Sequence, residues 1–271
     1  TREEAGKALL ESVAELAGEE AWNALRVRYR ELLAGIALHD LCNEDAREVL
    51  EEVSTALAHI ADAALEAALV VARATLERGG STPPVSRERL DDVRLAIIAM
   101  GKCGAEELNV VSDVDVMFVV RGDERMATAL ARETMRAIQD PAIEMPLWQV
   151  DPNLRPEGEQ GPLVRTLPSM MSYYERWAKA WEFQALIKAR ACAGDLELGG
   201  EFVARTRPYV WASARREDFV GSVQRMRERV TEHIAPQDLE RQIKLGPGGL
   251  RDIEFSVQLL QLVHGRADES L

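Results

Sequence analysis

The sequence predicts a mostly helical α+β protein with a small sheet near the middle of the chain. Helical periodicity runs almost throughout residues 3–78, and it returns from residue 168 onward. Between these regions lie short apolar runs typical of buried strands. We therefore expect three segments: N-terminal helices over 1–84, an α/β core over 85–165 and a C-terminal helical segment over 166–271.

The N-terminal segment contains one long amphipathic stretch, residues 44–78. Its apolar residues recur at spacings of three and four and form a single stripe: Val53, Leu57, Ile60, Ala64, Ala67 and Val71. Four acidic residues fall off this stripe and are expected to face water: Glu51, Glu52, Asp62 and Glu66. The cluster of Gly, Ser, Thr and Pro over 79–84 cannot continue a helix and marks the main internal boundary.

The core contains three predicted strands. Residues 95–100 form a continuous apolar run that ends at Gly101, and residues 114–120 form a second run rich in β-branched residues. A third strand is predicted over 147–151, between two prolines. Helices are predicted over 124–139, 177–190 and about 250–264, with breaks near 194–200 and 207–208.

Composition excludes several classes of protein. The 33 Lys and Arg against 46 Asp and Glu give a net charge of −13, which argues against a chain that coats nucleic acid. The sequence contains no run of about 18 or more apolar residues, so a membrane-spanning helix is not expected. The three cysteines lie far apart without zinc-site spacing, which favours a reducing, cytoplasmic location. No serine-hydrolase elbow, P-loop or histidine metal motif occurs.

The chemistry-bearing residues follow the first predicted strand. Asp113 and Asp115 lie two residues apart at the start of the second strand, where alternation places them on one face. Adjacent carboxylates repel each other, and a divalent cation such as Mg²⁺ removes that conflict. Upstream, the glycine turn 101–104 allows close approach of backbone to phosphate, and Lys102 adds positive charge.

A third carboxylate, Asp151, ends the third predicted strand and reaches the same site if the strands are neighbours. Three carboxylates with two metal ions suit in-line phosphoryl or nucleotidyl transfer. The Asp-x-Asp pattern alone is common and often only caps a turn. Its combination with the glycine turn and Asp151 favours the catalytic interpretation.

These residues carry a resemblance to the DNA polymerase β-like nucleotidyltransferase superfamily. More closely, residues 101–118 resemble the GKLGGxELNxSSDxDLxF signature of the glutamine synthetase adenylyltransferase and adenylyl-removing enzyme family. Residues 151–158, 181–190 and 244–255 resemble its DxxLRPxG, WExxALxKAR and KLGxGGIREIEF motifs, in the same order. The sequence departs from these patterns mainly at Cys103, Ala105, Val111 and Phe183, and no departure removes a carboxylate.

The resemblance implies a small mixed-sheet, polymerase β-like nucleotidyltransferase core with N-terminal helices and a C-terminal helical bundle. It also implies two Mg²⁺ ions, held by Asp113, Asp115 and Asp151, with Glu254 as a further candidate ligand. The expected phosphate- and nucleotide-binding residues are Gly101, Lys102, Gly104, Ser112, Arg155, Lys188, Arg190, Lys244, Gly248, Gly249 and Arg251. Two purely structural alternatives stay open: Arg155 as a surface ion-pair partner, and residues 247–249 as an ordinary glycine-rich connection.

Proteins of this family carry two catalytic halves, one removing AMP from a tyrosine of glutamine synthetase with phosphate and releasing ADP, the other attaching AMP from ATP. Arg251, within the sequence GGLRDIEF, resembles the removing half, and the attaching half is the alternative. The implied partners are adenylylated glutamine synthetase, ADP or ATP, inorganic phosphate, a PII-type signal protein and glutamine, without membrane or nucleic acid. Two other hypotheses are a polymerase-like enzyme and a regulatory binding module with degenerate chemistry.

Overall fold

The computed structural model describes residues 1–79, 83–215, 219–232, 241–265 and 267. It is mostly helical with a small mixed sheet, which confirms the predicted fold class. The chain forms two compact units. The first comprises Thr1–Met170 and Lys188–Val203, and the second comprises Met171–Ile187 and Ala204–Leu271. This division into two units does not test the predicted division into three consecutive segments, which stays a prediction.

Three helices precede the sheet: α1 (Arg2–Ser12), α2 (Gly18–Cys42) and α3 (Ala46–Arg78). The predicted apolar stripe of α3 is buried, as expected. Asp62 was expected to face water and is instead 1% exposed, because α3 packs against α1, α2, α6 and β5 and is buried on nearly every face. Its length and hydropathy alone would allow α3 to span a membrane, but 72% of the apolar window is buried inside the protein, as in a core helix.

The sheet begins after α4 (Arg87–Asp91) with β1 (Arg94–Ala99), the short helix α5 (Gly101–Gly104), β2 (Val114–Arg121) and α6 (Glu124–Gln139). There follow β3 (Val150–Asp151), a 3-10 turn (Gly158–Gln160) and β4 (Val164–Thr166). The remaining elements are α7 (Leu167–Arg176), α8 (Ala180–Leu186), β5 (Arg190–Gly194), α9 (Leu196–Ser213), α10 (Phe219–Glu232) and α11 (Leu250–His264).

The five strands of the described sheet have the order β3-β2-β1-β5, and β4 also pairs with β2. β1 is antiparallel to both β2 and β5, whereas β3 and β4 are parallel to β2. The end of β1, the start of β2, the start of β5 and β3 therefore meet at one end of the sheet. Within the first unit, buried residues of α3, α6, β1 and β2 belong to one continuous apolar core, with α3 packed against α6 and β5.

Three local predictions differ from the structure. The strand expected over 147–151 is limited to Val150–Asp151, because the amides of Leu147 and Val150 bond to residues at the end of α6. The helix expected over 177–190 ends at Leu186, and the small residues of β5 pair with β1 instead. No break occurs at Pro208, which lies inside α9 although proline cannot donate the backbone hydrogen bond of that position.

A buried cation joins the N-terminal helices to the core. Arg26 on α2 is fully buried and donates hydrogen bonds to the carbonyl oxygens of Ala137, Asp140 and Glu144 at and beyond the end of α6. Positive charge at a helix C-terminus complements the helix dipole. The position of α6, and of the chain that leads into β3, therefore depends on α2.

Candidate active site

The first glycine turn, Gly101–Gly104, connects β1 to the segment before β2. Gly101 has φ +53°, and a Cβ there would lie 2.4 Å from Oδ2 of Asp115. At Gly104 a Cβ would lie 1.9 Å from the carbonyl oxygen of Lys188. Both positions therefore require glycine, the first for its backbone conformation and its approach to a carboxylate, the second for packing against the chain entering β5.

Two of the predicted carboxylates occupy paired positions on neighbouring parallel strands. Asp115 of β2 is in register with Asp151 of β3, and both are half-buried. The amide of Met100 donates to the carbonyl oxygen of Asp115 at 2.9 Å, which holds the end of β1 against the same residue. Asp113 is exposed and lies one residue before β2. The structure thus brings the aspartates to the same end of the sheet as the first glycine turn.

The chemistry of these donors fits Mg²⁺, which prefers oxygen ligands and commonly keeps several waters. Asp115 and Asp151 supply carboxylate oxygens from adjacent strands. Over the residues that the structure describes, no three or more His, Cys, Asp and Glu side chains are grouped closely enough to hold a metal ion. The two-metal site therefore stays a prediction.

Three further candidate ligands belong to the first unit: Lys102 lies in the first glycine turn, the backbone of Lys188 lies against Gly104, and Ser112 directly precedes Asp113. Lys102 is exposed, and its Nζ lies 3.3 Å from Oδ1 of Asn109. Lys188 is 16% exposed and forms an ion pair with Glu107 at 2.8 Å. The hydroxyl of Ser112 donates to the carbonyl oxygen of Asp113 at 3.0 Å. The exposed ammonium of Lys102 is the cation best placed to meet an anion from solvent.

Two predicted phosphate-binding arginines, Arg155 and Arg190, form hydrogen bonds within the protein. Arg155 is 8% exposed and donates to the carbonyl oxygens of Pro152, Glu159 and Gly161, which closes the loop between β3 and β4. Burial lowers the pKa of its guanidinium. Arg190 is bound to Asp62 and to the first glycine turn. Their assignment as phosphate ligands stays a prediction, although these donors are already engaged.

The remaining candidates lie together in the second unit, on the second glycine turn (residues 246–249) and the first turn of α11. Lys244 is exposed, and its carbonyl oxygen accepts from the amide of Arg251. Gly248 has φ +72°, and Gly249 is the N-cap of α11. These residues thus form one local structure at the start of a helix.

Arg251 and Glu254 lie beside each other at the start of α11. The Arg251 guanidinium lies 5.6 Å from the centre of the Phe255 ring, and its Nε lies 3.8 Å from a carboxylate oxygen of Glu254. That Nε is buried and has no hydrogen-bond partner among the described residues. Glu254 also accepts from Gln258 at 3.2 Å. Arg251 therefore retains a donor for a further acceptor.

Sequence reasoning missed Asp62, whose carboxylate lies behind the first glycine turn. One signal was present in the sequence, because residues 57–72 are apolar apart from His59, Asp62 and Glu66, which is more than a single stripe requires. A helix of that kind is buried all round, so an acidic residue within it must have a partner. The partner, Arg190, lies 128 residues away, and no local sequence pattern pairs the two residues.

Comparison with known proteins agrees with this geometry. A family model described as glutamate-ammonia ligase adenylyltransferase matches residues 1–205. The chain belongs to this family. A second model, described as GlnD PII-uridylyltransferase, matches residues 219–270. The predicted family resemblance is confirmed, and with it a nucleotidyltransferase-type family of enzymes.

Similar proteins carry the name bifunctional glutamine synthetase adenylyltransferase/adenylyl-removing enzyme. The protein from Leifsonia xyli subsp. xyli is 56% identical over 268 residues, covering 94% of this chain and 26% of its own length. Those from Streptomyces avermitilis and Mycobacterium marinum are 52% and 50% identical, covering 92% and 97% of this chain. The chain spans about a quarter of the length of these relatives.

Proposed function

We propose that this chain is the adenylyl-removing part of such an enzyme and transfers AMP from a tyrosine of glutamine synthetase to inorganic phosphate, releasing ADP. The observation that carries the proposal is the pairing of Asp115 with Asp151 across adjacent strands, at the end of the sheet where Gly101 approaches the Asp115 carboxylate. Paired carboxylates beside a glycine turn suit phosphoryl transfer, because they can hold a metal ion next to a bound phosphate.

Asp113, Asp115 and Asp151 would hold Mg²⁺, and bound Mg²⁺ would neutralise negative charge on the oxygens of the transferred phosphoryl group. The first glycine turn and Lys102 bind and orient the incoming phosphate, with Ser112 beside them. A phosphate oxygen attacks the AMP phosphorus, and the bond from phosphorus to the tyrosine oxygen breaks. The phenolate leaves with the electron pair and takes a proton from water, which needs no strong general acid because a phenol has a pKa of about 10.

In this proposal the second unit carries an anion-binding turn of its own. Lys244 and Arg251 flank the glycines at the start of α11, and helix N-termini attract anions through their free amides. Arg251 adds the buried Nε that has no hydrogen-bond partner among the described residues. Glu254 is held beside Arg251 and is proposed as an accessory carboxylate.

The opposite reaction, attachment of AMP from ATP, is the second candidate function. The description of the matching family, an adenylyltransferase, favours it. The GGLRDIEF form at residues 248–255 favours removal instead, since that sequence resembles the removing half. The motif distinguishes the two halves, whereas the family description covers both, so removal is the proposed reaction.

The match of residues 219–270 to a PII-uridylyltransferase model supports control by a PII-type signal protein, with glutamine as a second regulator. We place the enzyme in the cytoplasm, where its substrate protein is made and where free cysteines persist. Neither membrane nor nucleic acid has a part in this proposal.

The deciding experiment incubates the chain with adenylylated glutamine synthetase, inorganic phosphate and Mg²⁺, and then separates the nucleotides. We expect ADP release that requires phosphate and falls by at least about 100-fold in Asp113→Ala and Asp115→Ala. The matched control is Asp92→Ala, an exposed aspartate just before β1 at the other end of the sheet, which should keep full activity.

Three other outcomes contradict the proposal in different ways. AMP incorporation from ATP into unmodified glutamine synthetase, without ADP release, would assign the chain to the attaching reaction. Activity that survives in Asp113→Ala would make the carboxylate assignment wrong. Retention of tRNA or single-stranded DNA on a filter at physiological salt would revive the polymerase-like hypothesis.

A further inference from the structure

A buried ion pair lies directly behind the first glycine turn. Asp62 on α3 is 1% exposed, and both of its carboxylate oxygens accept from Arg190, at 2.5 and 3.0 Å. Arg2 of α1 lies 3.4 Å from the same carboxylate. Burial opposes the charge on Arg190, but its hydrogen bonds with Asp62 outweigh that effect and raise the pKa of the guanidinium.

The Arg190 guanidinium also binds the backbone of the turn. Its NH2 group donates to the carbonyl oxygen of Cys103 at 2.9 Å, and its Nε donates to that of Gly104 at 3.2 Å. One side chain therefore joins the core helix α3 to two consecutive carbonyls of the first glycine turn. The carbonyl oxygen of Lys188, two residues earlier, lies where a Cβ on Gly104 would be.

We infer that Asp62 and Arg190 are positioning residues that hold the first glycine turn in its phosphate-binding conformation. This inference rests on the proposed function. Asp62 orients the Arg190 guanidinium and balances its charge. The guanidinium in turn fixes the turn through its two hydrogen bonds to the backbone. Neither residue contacts the substrate in this assignment, which distinguishes it from the earlier prediction of Arg190 as a phosphate ligand.

Loss of one charge of the pair is expected to loosen the turn as well as to destabilise the core. A buried ion pair adds little net stability to the fold. Removal of one partner, however, leaves the other charge buried and uncompensated, which is strongly destabilising. Asp62→Asn removes the charge with almost no change in volume. Arg190 then loses its orienting partner, and its two bonds to the turn loosen first because they depend on the guanidinium geometry.

The test compares Asp62→Asn and Arg190→Lys with the wild type in two measurements. The first is amide hydrogen exchange over residues 101–107, which needs no activity. The second is steady-state ADP release with phosphate and adenylylated glutamine synthetase varied separately. We expect faster exchange at 101–107 and a KM for phosphate that rises about tenfold or more, because small displacements of binding groups are costly. The KM for glutamine synthetase should change less than about twofold.

Arg73→Lys is the matched control. Arg73 lies on the same helix and donates to the carbonyl oxygens of Leu90 and Val93, which precede the other end of β1. It should lower the thermal midpoint without selective exchange at 101–107 and without a change in the KM for phosphate. A thermal midpoint is recorded for every variant, so that loss of fold is recognised.

The inference is overturned if Asp62→Asn and Arg190→Lys behave like Arg73→Lys, with uniform exchange and an unchanged KM for phosphate. A purely structural pair gives that result. A KM effect in Arg190→Lys alone would make Arg190 a phosphate ligand and would also overturn it. If the wild type releases no ADP, the proposed function fails by itself, and selective exchange at 101–107 still decides whether the pair holds the turn.

Discussion

The two glycine turns are held in place by different kinds of contact. The first, Gly101–Gly104, is held by Asp115 on one side, by the carbonyl of Lys188 on another and by Arg190 from behind. The second, residues 246–249, is held by the helix it precedes. The amide of Gly248 donates to Asp252 at 2.7 Å, and Asp252 pairs with Arg227 of α10 at 2.6 and 2.7 Å.

The contacts that position the two turns come from different distances along the chain. The partners of the first turn come from α3, β2 and the chain entering β5, and Asp62 among them is fully buried. The partners of the second turn lie within a few residues or on the next helix, and both side chains of its ion pair are 26% exposed. The first turn depends on the assembled core, whereas the second depends mainly on local contacts.

The largest expected effect comes from adding one methyl group to each turn. In Gly104→Ala the Cβ would lie 1.9 Å from the Lys188 carbonyl oxygen, so the turn or β5 must move. We expect a loss of about 3 kcal/mol or more in the free energy of unfolding. In Gly248→Ala nothing lies within 4 Å of the new Cβ, and only the left-handed backbone is strained, at about 1 kcal/mol. Urea unfolding of both variants measures the difference.

Gly200→Ala is the control for this pair, since Gly200 lies in helix α9 and a Cβ there meets nothing within 4 Å. It should be neutral or slightly stabilising, because alanine favours helix. Equal destabilisation by Gly104→Ala and Gly248→Ala would show that the first turn yields as easily as the second. The proposed contrast between a core-held and a locally held turn would then be wrong.

The same contrast explains what the sequence could predict. The second turn and α11 were predicted closely, because glycines, prolines and periodicity are local signals. The strands β1 and β2 were predicted to within a residue or so for the same reason. The pairing of Asp115 with Asp151 was expected only if the strands were neighbours, which no local pattern states.

Residues whose role depends on distant partners were the ones missed. Asp62 and Arg26 are charged, and isolated charges on a helix ordinarily face water. Their burial follows from partners more than 100 residues away, Arg190 for Asp62 and the end of α6 for Arg26. The sequence predicts helix where strand β5 forms, because the alanines of this segment favour helix. The segment is a strand because it pairs with β1, which no local pattern indicates.

A smaller effect is expected at the second turn when pH is lowered. Hydrogen bonds from Arg227, with a further one from the Gly248 amide, hold the pKa of Asp252 below its ordinary value. A carboxyl with a lowered folded-state pKa stabilises the fold above its unfolded pKa, near 4, and loses that contribution as pH falls through the folded value. Asp252→Asn should therefore be less stable than wild type at pH 7, by about 1 kcal/mol or less, and the gap should close below pH 4.

Urea midpoints from pH 7 to pH 2.5 give this comparison directly. Arg227→Gln removes the same pair from the other side and should flatten the pH dependence to a similar extent. The double variant should add little to either single one. A gap between wild type and Asp252→Asn that stays constant down to pH 2.5 would mean that the carboxylate charge does not support the second turn.

The smallest perturbation is a chemical probe of the first turn in the unaltered protein. Cys103 lies within that turn and is buried, and burial raises the pKa of its thiol to about 12. At pH 8 only about one thiol in 10⁴ is then ionised, and alkylation requires both thiolate and access. Iodoacetamide should label exposed Cys42 within minutes and should reach Cys103 and buried Cys192 only after denaturation. Mass spectrometry counts the adducts. Selective labelling of Cys103 in native protein, with Cys192 untouched, would mean that the first glycine turn opens on its own, and the core would not hold it as firmly as its contacts imply.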